Sequence, residues 1–331
     1  MRCAVIGAGA WGTALGDLLA ATGHEVRIWA YEGDVVASIN EQHENKRFLK
    51  GVRLARGLRA TNNQATALDR AMLVIYATPS THLRSITRAG APCIHQEAIL
   101  AVASKGIELG SMALMTDVVS AEAPGNAVVA LSGPSFAAEV AARQPTAVVA
   151  ASTDQSAARQ VQEAMSGGTF RVYTHDDVIG VELGGSLKNV MAVATGILEG
   201  VGLGFNSRAA LITRGLAEMT RLGTSLGARA STFAGLAGIG DLVLTCTGTL
   251  SRNRTLGVEI GHGKSLEEAR AGKETVAEGV VTTASAIELA AREGVEMPIA
   301  EMVYRILFDH HPAKLAAQEL MARELRSEQD E

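Results

Sequence analysis

The chain is poor in cysteine, has no large excess of either charge and contains no internal repeat or low-complexity linker. Its three cysteines, Cys3, Cys93 and Cys246, are odd in number and far apart, which fits neither a disulfide framework nor a zinc knuckle. A formal net charge of -5 gives no general reason to expect nucleic acid or an anionic membrane as a partner. The histidines lack the spacing of metal ligands, so we expect no metal site. The composition, 47% hydrophobic over 331 residues, suits a globular protein of about two domains.

We also expect neither a targeting segment nor a membrane-spanning segment. The first apolar run begins near Cys3, which leaves no room for the charged and apolar regions of a secretory signal, so we expect a cytoplasmic protein. One apolar window, residues 230–251, carries a single charge at Asp241. An aspartate near the centre of a membrane helix costs about 2.5–3.5 kcal/mol on insertion scales. We therefore interpret this window as a buried active-site loop and expect no stable membrane insertion.

A glycine-rich turn follows the first apolar run. Residues 3–6 (CAVI) have the pattern of a buried strand, and residues 7–12 (GAGAWG) lead from it into a predicted helix over 13–22. Gly7 allows a tight turn, Gly9 lets the backbone approach a pyrophosphate, and Gly12 lets the helix pack closely on the sheet. Glycine turns that serve only packing share this pattern. Its position between strand and helix nevertheless favours a site for a nicotinamide or flavin dinucleotide.

Short β-rich runs alternate with helical segments through about residue 175, which predicts a doubly wound, mainly parallel sheet of the Rossmann type. The runs are almost continuously apolar, as expected for strands that helices cover on both faces. After Asp177 such runs almost stop, and helix-compatible stretches take over. We predict an α/β dinucleotide-binding domain over 1–177 and an all-helical substrate-binding domain over 178–331. The predicted strands are 25–29, 72–77, 99–103, 128–131 and 146–151; the predicted helices are 179–201, 209–226, 265–271, 282–293, 297–307 and 313–331.

The predicted helix over 179–201 contains five glycines, each of which normally weakens a helix by about 1 kcal/mol relative to alanine. Close packing against a neighbour or a ligand would explain them. Lys188 lies at the middle of this helix, among uncharged residues from 183 to 197. Burial disfavours the ammonium form of a lysine, so a lysine in such surroundings can exchange protons near neutral pH. The alternative is a lysine whose stem covers apolar neighbours while its charge reaches solvent.

Two segments are expected at the carboxyl edge of the sheet, where ligands collect in this kind of fold. Lys105 follows the predicted strand 99–103, and residues 132–136 (SGPSF) follow the next predicted strand. A solvated loop lysine and a tight turn before a helix are the alternatives for these two segments.

Two further polar groups lie beyond residue 230. Asp241 stands alone in an uncharged segment and needs a partner, unless it serves as a helix N-cap. Ser251, Arg252 and Asn253 precede a short predicted helix, so a guanidinium, an amide and helix N–H groups converge there. Such a group suits a phosphate, and a basic surface turn is the alternative.

Six ordered blocks span both predicted domains: GAGAWGTAL at 7–15, ASKGIE at 103–108, LSGPSFAAE at 131–139, LGGSLKNVMAVATGI at 183–197, RAALITRGLAEMTRLG at 208–223 and AGIGDLVLTCTGTLSRNR at 237–254. In these blocks the whole chain resembles the bacterial-type, NAD(P)-dependent sn-glycerol-3-phosphate dehydrogenases. The resemblance implies reversible hydride transfer from NAD(P)H to dihydroxyacetone phosphate, giving sn-glycerol 3-phosphate for glycerophospholipid synthesis. It also suggests a homodimer.

The resemblance implies roles for particular residues. Lys188 corresponds to the general acid/base, and Lys105 and Asp241 correspond to its catalytic partners. The implied substrate-binding residues are Lys105, Gly133, Ser135, Lys188, Asp241, Ser251, Arg252 and Asn253. The implied cofactor-binding residues are Gly7, Gly9, Ala10, Trp11, Gly12, Tyr31, Lys105, Gly133, Ala137, Arg252, Val276 and Glu278.

The end of the second predicted strand departs from the pattern of strict NAD enzymes. The sequence there is IWAYE at 28–32, so the carboxylate that binds the ribose of NAD is missing or displaced to Glu32. No arginine adjoins the strand to hold a 2′-phosphate, although Lys46 and Arg47 could fold back. We expect NAD or NADP as cofactor, with a preference for NADP.

Two other functions fit the same architecture. Ketopantoate reductases and 3-hydroxyacid dehydrogenases also join a dinucleotide domain to a helical one, but they must hold a carboxylate. A cofactor-binding sensor without turnover would be free to lose Lys105, Lys188 or Asp241, and all three are present.

Overall fold

The computed structural model describes residues 1–272, 277–325 and 327–328. The chain divides into two compact units, the first made of Met1–Lys105 and Ala113–Glu182, the second of Gly106–Met112 and Leu183–Glu331. The division after Glu182 falls inside a long helix, a few residues beyond the domain boundary that the sequence predicts between residues 177 and 178. The domain boundary at 177 stays a prediction.

The first unit is built on one eight-stranded sheet. Its strands are β1 (Arg2–Ile6), β2 (Glu25–Trp29), β3 (Leu58–Thr61), β4 (Leu73–Tyr76), β5 (Ile99–Val102), β6 (Val128–Ser132), β7 (Thr146–Ala151) and β8 (Phe170–His175). Their order across the sheet is β3-β2-β1-β4-β5-β6-β7-β8. All neighbours are parallel except β6 and β7, which are antiparallel. The predicted fold class is confirmed.

Helices cover both faces of this sheet. They are α1 (Ala10–Ala21), α2 (Gly33–Gln42), α3 (Gln64–Leu68), α4 (Ser80–Gly90), α5 (Met115–Glu122), α6 (Ala137–Ala141) and α7 (Gln155–Met165). Successive residues of β1 point to opposite faces, so Cys3 and Val5 belong to one apolar cluster while Ala4 and Ile6 belong to the other. The continuous apolar runs noted in the sequence therefore reflect burial on two sides.

Two strands were not predicted from the sequence. They are β3 and β8, which form the two edges of the sheet. Buried and more exposed positions alternate along both strands, and each contains arginine. Because an edge strand is only half covered, it lacks the continuous apolar run by which the central strands were predicted.

The second unit is built of helices, and its described residues contain none of the strands of the sheet. It contains α8 (Val178–Gly200, whose first turn belongs to the first unit), α9 (Phe205–Ser225), α10 (Ala230–Phe233), α11 (Asp241–Thr247), α12 (Arg252–Gly261), α13 (Leu266–Arg270), α14 (Glu278–Glu293), α15 (Pro298–Phe308) and α16 (Ala313–Met321). The sequence predicts a tail helix over 313–331 that frays at 327–331, whereas α16 ends at Met321. Residues 326 and 329–331 lie outside the described residues.

The apolar window beyond residue 230 is not the loop that the sequence suggests. It forms α10, a single π-type turn over Leu236–Gly240 and α11, with non-helical dihedral angles at Gly238. By length and mean hydropathy (1.3), Ala230–Thr247 alone among the described residues would suffice to cross a membrane, and 44% of it is buried in the protein. The break at Gly238 and the buried Asp241 fit a segment of the core better than a spanning helix.

Two of the five glycines of α8, Gly196 and Gly200, are explained by a close crossing with α12. A Cβ on Gly196 would lie 2.1 Å from the carbonyl oxygen of Arg254, and a Cβ on Gly257 would lie 2.2 Å from that of Val193. One turn further along, Gly200 and Gly261 meet in the same way. The helix backbones touch here, so the packing gained offsets the low helix propensity of glycine.

Helix α15 is fixed inside its unit by a buried carboxylate. Glu218 on α9 accepts hydrogen bonds from the backbone N–H groups of Ile299 (2.7 Å) and Ala300 (3.3 Å), in the first turn of α15. Burial raises the pKa of Glu218 to about 7. The apolar face of α15 packs inside the unit.

Gly257→Ala is expected to lower stability by about 1–3 kcal/mol or more, because its methyl group would drive α8 and α12 apart. Denaturant unfolding followed by circular dichroism measures the change. The matched control is Gly33→Ala in the first turn of α2, where nothing lies within 4 Å of the new Cβ. Equal stability of the two variants would contradict the crossing.

Candidate active site

The glycine-rich turn has a geometry that fits a pyrophosphate. Gly7 has a φ of +114°, and a Cβ there would lie 2.6 Å from the carbonyl oxygen of Ala77. A Cβ on Gly12 would lie 1.9 Å from the carbonyl oxygen of Gly7, whereas nothing lies within 4 Å of a Cβ on Gly9. Gly9 is the N-cap of α1 and offers no side-chain acceptor to its first N–H groups. This open, positively polarised helix end fits a dinucleotide phosphate.

A buried amide braces the turn from behind. Asn45 Nδ2 donates to the carbonyl oxygen of Ala8 (2.8 Å) and to Thr13 Oγ1 (2.8 Å). The Thr13 hydroxyl in turn donates to the same carbonyl (3.1 Å). Sequence reasoning missed Asn45, because its partners precede it by more than thirty residues and it belongs to no short motif.

Other predicted cofactor residues surround this turn or lie at the end of β2. Ala10 is the first residue of α1, and the indole nitrogen of Trp11, one residue later, is buried without a hydrogen-bond partner in the described structure. That N–H suits a ligand acceptor. Tyr31 follows β2 and is 83% exposed. Arg47 does fold back towards this region, with Nη1 3.6 Å from Asp34 Oδ1 in the first turn of α2.

The structure brings Lys105, Gly133 and Ser135 together. The carbonyl oxygen of Gly133 accepts a hydrogen bond from Lys105 Nζ (3.3 Å) and one from Ser135 Oγ (2.9 Å). Gly133 has a φ of +138°, and a Cβ there would lie 2.9 Å from the Cα of Val148, so the position requires glycine. Ala137, two residues after Ser135, begins α6. Residues 132–136 therefore form a tight turn, as one interpretation predicted, and the same turn also presents polar groups at the carboxyl edge of the sheet.

In the second unit, Lys188 and Asp241 form a buried ion pair. Lys188 is 8% exposed and Asp241 is fully buried, so the lysine does not extend to solvent as the alternative supposed. Asp241 is the first residue of α11 and does not act as its N-cap. Its Oδ1 also accepts a hydrogen bond from Thr245 Oγ1 (3.3 Å). The pair holds a proton donor and its counter-charge in an apolar interior, which suits proton transfer.

A cysteine close to this pair is not a nucleophile. Burial raises the pKa of the Cys246 thiol to about 12, against the opposing effects of Thr195 and the Lys188 charge. Since the thiolate is the reactive form, this thiol is inert near neutral pH.

The predicted phosphate-binding segment forms the start of α12. Ser251 is the N-cap and accepts a hydrogen bond from the backbone N–H of Arg254 (3.3 Å). Arg252 is exposed, whereas Asn253 is buried. Asn253 Nδ2 donates to Asn189 Oδ1 (2.9 Å), and Asn253 Oδ1 accepts from the backbone N–H of Gly279 (3.0 Å). Much of the Asn253 amide is thus engaged within the protein, and among the described residues the second N–H of Nδ2 has no partner.

One predicted cofactor residue lies at the start of α14. Glu278 is the first residue of that helix and is partly buried. Val276 lies outside the described residues. Within the described part of the chain, no group of three or more His, Cys, Asp or Glu side chains is placed to hold a metal ion.

The first unit has a mainly parallel sheet with a glycine turn that fits a pyrophosphate, and the second is helical with a buried lysine–aspartate pair. Together these features define the class of dinucleotide-dependent oxidoreductases. A family model described as the NAD-dependent glycerol-3-phosphate dehydrogenase N-terminus matches residues 2–158, and the corresponding C-terminus model matches residues 177–318. The chain belongs to this family.

Individual relatives agree with the family models. A glycerol-3-phosphate dehydrogenase acting with NAD(P)+ from Geobacter sp. (strain M21) is 52% identical over 330 residues, which is 99% of this chain and 98% of the relative. The crystal structure of glycerol-3-phosphate dehydrogenase from Coxiella burnetii is 41% identical, with a TM-score of 0.94 over 97% of this chain and 99% of that one. A ketopantoate reductase from Ralstonia eutropha JMP134 shares the fold alone. It is 16% identical, with a TM-score of 0.62 over 97% of this chain and 100% of that one.

The Lys188–Asp241 pair makes a prediction for stability. Lys188→Met and Asp241→Leu each leave one buried charge without its partner, so each is expected to destabilise the protein by about 3–5 kcal/mol. The double variant is expected to cost much less than the sum, because it buries no charge. Urea unfolding of the four proteins measures the coupling energy.

Arg305→Gln is the control for this cycle, because Arg305 and Glu319 form a more exposed pair (2.9 Å) that should contribute about 0–1 kcal/mol. If the loss of stability in the double variant equalled the sum of the losses in Lys188→Met and Asp241→Leu, the two side chains would not interact as an ion pair.

Proposed function

We propose that this chain catalyses the reversible NAD(P)H-dependent reduction of dihydroxyacetone phosphate to sn-glycerol 3-phosphate. The activity is the one named for relatives that match almost the whole chain. Among the observations on the protein itself, the buried Lys188–Asp241 pair carries the proposal furthest, because carbonyl reduction requires a proton donor in a site shielded from water.

The residues around the glycine turn are proposed to hold the cofactor. The N-terminus of α1 binds the pyrophosphate, Gly9 leaves the backbone open to it, and the buried indole N–H of Trp11 offers a further hydrogen bond. Gly133, Ala137 and Glu278 complete the set, together with Val276. When bound, NAD(P)H supplies the hydride.

Lys188 is proposed to act as the general acid in reduction. As hydride reaches the carbonyl carbon, negative charge develops on the oxygen, and the ammonium group of Lys188 stabilises that charge and donates a proton. Asp241 stabilises the ammonium form before transfer and orients Nζ. In the reverse direction, neutral Lys188 accepts the hydroxyl proton. Lys105 is proposed as a second cation on the substrate side, oriented by the Gly133 carbonyl.

The start of α12 is proposed to bind the substrate phosphate. Arg252 is exposed at the first turn of the helix, where the N–H groups also favour an anion. Ser251 and the remaining N–H of Asn253 add polar contacts. Binding of this non-reacting group positions a small three-carbon substrate, and its binding energy can be used in the transition state.

Three further proposals follow from the family and not from the site. We propose that the product supplies glycerophospholipid synthesis, that the protein works in the cytoplasm, and that it forms a homodimer. Sedimentation equilibrium of the purified protein tests the last of these, and a monomer throughout the micromolar range would exclude it.

Lys188→Ala is expected to lower kcat by about 10²–10⁴-fold while NADH and NADPH bind nearly as in the wild type, because the variant loses the proton donor and keeps the cofactor site. Turnover is followed as loss of nicotinamide absorbance, and binding by fluorescence titration. Lys264→Ala removes an exposed lysine of the same unit and should have no effect. Turnover of Lys188→Ala within tenfold of the wild type would remove Lys188 from the acid/base role.

Arg252→Ala is expected to raise KM for dihydroxyacetone phosphate by about ten- to a hundredfold, since a charge-assisted contact to the phosphate is lost. Steady-state kinetics measure it, with unphosphorylated dihydroxyacetone as the second substrate. The difference between the two substrates should shrink in this variant and not in Arg270→Ala, which removes an exposed arginine from α13. An unchanged KM would refute phosphate binding by Arg252.

A further inference from the structure

The segment that follows α2, residues 43–51, is built onto the glycine turn. Asn45 is fully buried, and both of its Nδ2–H bonds are directed at Ala8 and Thr13. The segment closes on itself through hydrogen bonds from the backbone N–H of Phe48 to Asn45 Oδ1 (3.0 Å) and from that of Leu49 to the Asn45 carbonyl (3.0 Å). The residues next to Asn45 are therefore held at a defined distance from the turn that is proposed to bind the pyrophosphate.

Two of the three cations of this braced segment, Lys46 and Arg47, directly follow Asn45. The guanidinium of Arg47 stacks over the ring of Phe48, 5.3 Å from its centroid, and lies 3.6 Å from Asp34. Its side chain is 35% exposed, so a ligand can reach part of it. Lys46 and Arg47 line a surface cavity of about 330 Å³ together with α2, which contributes Ser38 and the two acids Asp34 and Glu41.

The position of this cavity matters because α2 begins directly after β2. In dinucleotide-binding folds, the end of the second strand adjoins the adenine ribose. An acid there binds the 2′-hydroxyl of NAD, whereas an arginine binds the 2′-phosphate of NADP. Here Tyr31 and Glu32 follow the strand, and the acid that comes next, Asp34, is paired with Arg47.

We propose that Arg47, with Lys46 beside it, recognises the 2′-phosphate of NADP, and that Asp34 is the counter-ion that Arg47 keeps in the absence of this phosphate. A planar guanidinium stacked on an aromatic ring is well suited to bidentate phosphate contacts. The inference rests on the proposed NAD(P)-dependent function and specifies which residue distinguishes the two cofactors.

The opposite charges of Arg47 and Asp34 give the test a direction. Arg47→Gln removes the proposed contact to the 2′-phosphate, so the Kd of NADPH should rise about ten- to a hundredfold, while the Kd of NADH changes less than threefold. Asp34→Asn removes a competing carboxylate, so the Kd of NADPH should fall. Lys50→Gln removes one positive charge further along the same segment and should leave both values nearly unchanged.

Binding is measured directly, without turnover, by fluorescence titration with NADPH and NADH and by calorimetry with 2′,5′-ADP and 5′-AMP. The pair without nicotinamide isolates the 2′-phosphate. For the wild type, the affinity for 2′,5′-ADP should exceed that for 5′-AMP and should fall more steeply with added salt. Arg47→Gln should abolish both differences.

Equal changes in NADPH and NADH binding in Arg47→Gln, or the same loss in Lys50→Gln, would overturn the inference. If the wild type binds both nicotinamide cofactors and Arg47→Gln changes neither, only the inference fails. If the wild type binds neither cofactor, the proposed function fails, and the role of Arg47 fails with it. Circular dichroism of each variant separates these results from a loss of folding.

Discussion

The buried charge of Lys188 is the constraint on which the second unit depends. An ammonium group in an apolar interior needs a partner, and that partner is Asp241. Asp241 reaches α8 because the turn over 236–240 packs against that helix, and a Cβ on Gly184 would lie 2.4 Å from the carbonyl oxygen of Ala237. Gly184 and Lys188 are four residues apart and share one face of α8. The glycine thus admits the backbone that brings the carboxylate to the lysine.

The central strands, the glycine turn and the helical second half were predictable because each leaves a local pattern in the sequence. The edge strands β3 and β8 left no such pattern, since they are covered on one side only. For the candidate site, sequence placed Lys188 and Asp241 in apolar surroundings, and structure was needed to show that they meet. Spacing cannot reveal a contact between residues 53 positions apart.

The same limit applies to the residues that support the site. Asn45 and Glu218 each bind backbone groups far along the chain, and neither belongs to a recognisable motif. A buried polar side chain must find such a partner, but the sequence does not say which one. The roles of Lys105, Ser251, Arg252 and Asn253 stay predictions, because the structure shows where these residues lie and not what they bind.

The antiparallel pairing of β6 with β7 has a consequence for insertions into the chain. β7 and β8 therefore run opposite to the other six strands, and they end on the side of the sheet where β1 begins, away from the glycine turn. The exposed residues 153 and 154, which follow β7, lie on that side. A peptide inserted there would extend away from the glycine turn, so this position is suitable for attaching a label or a tether to the protein.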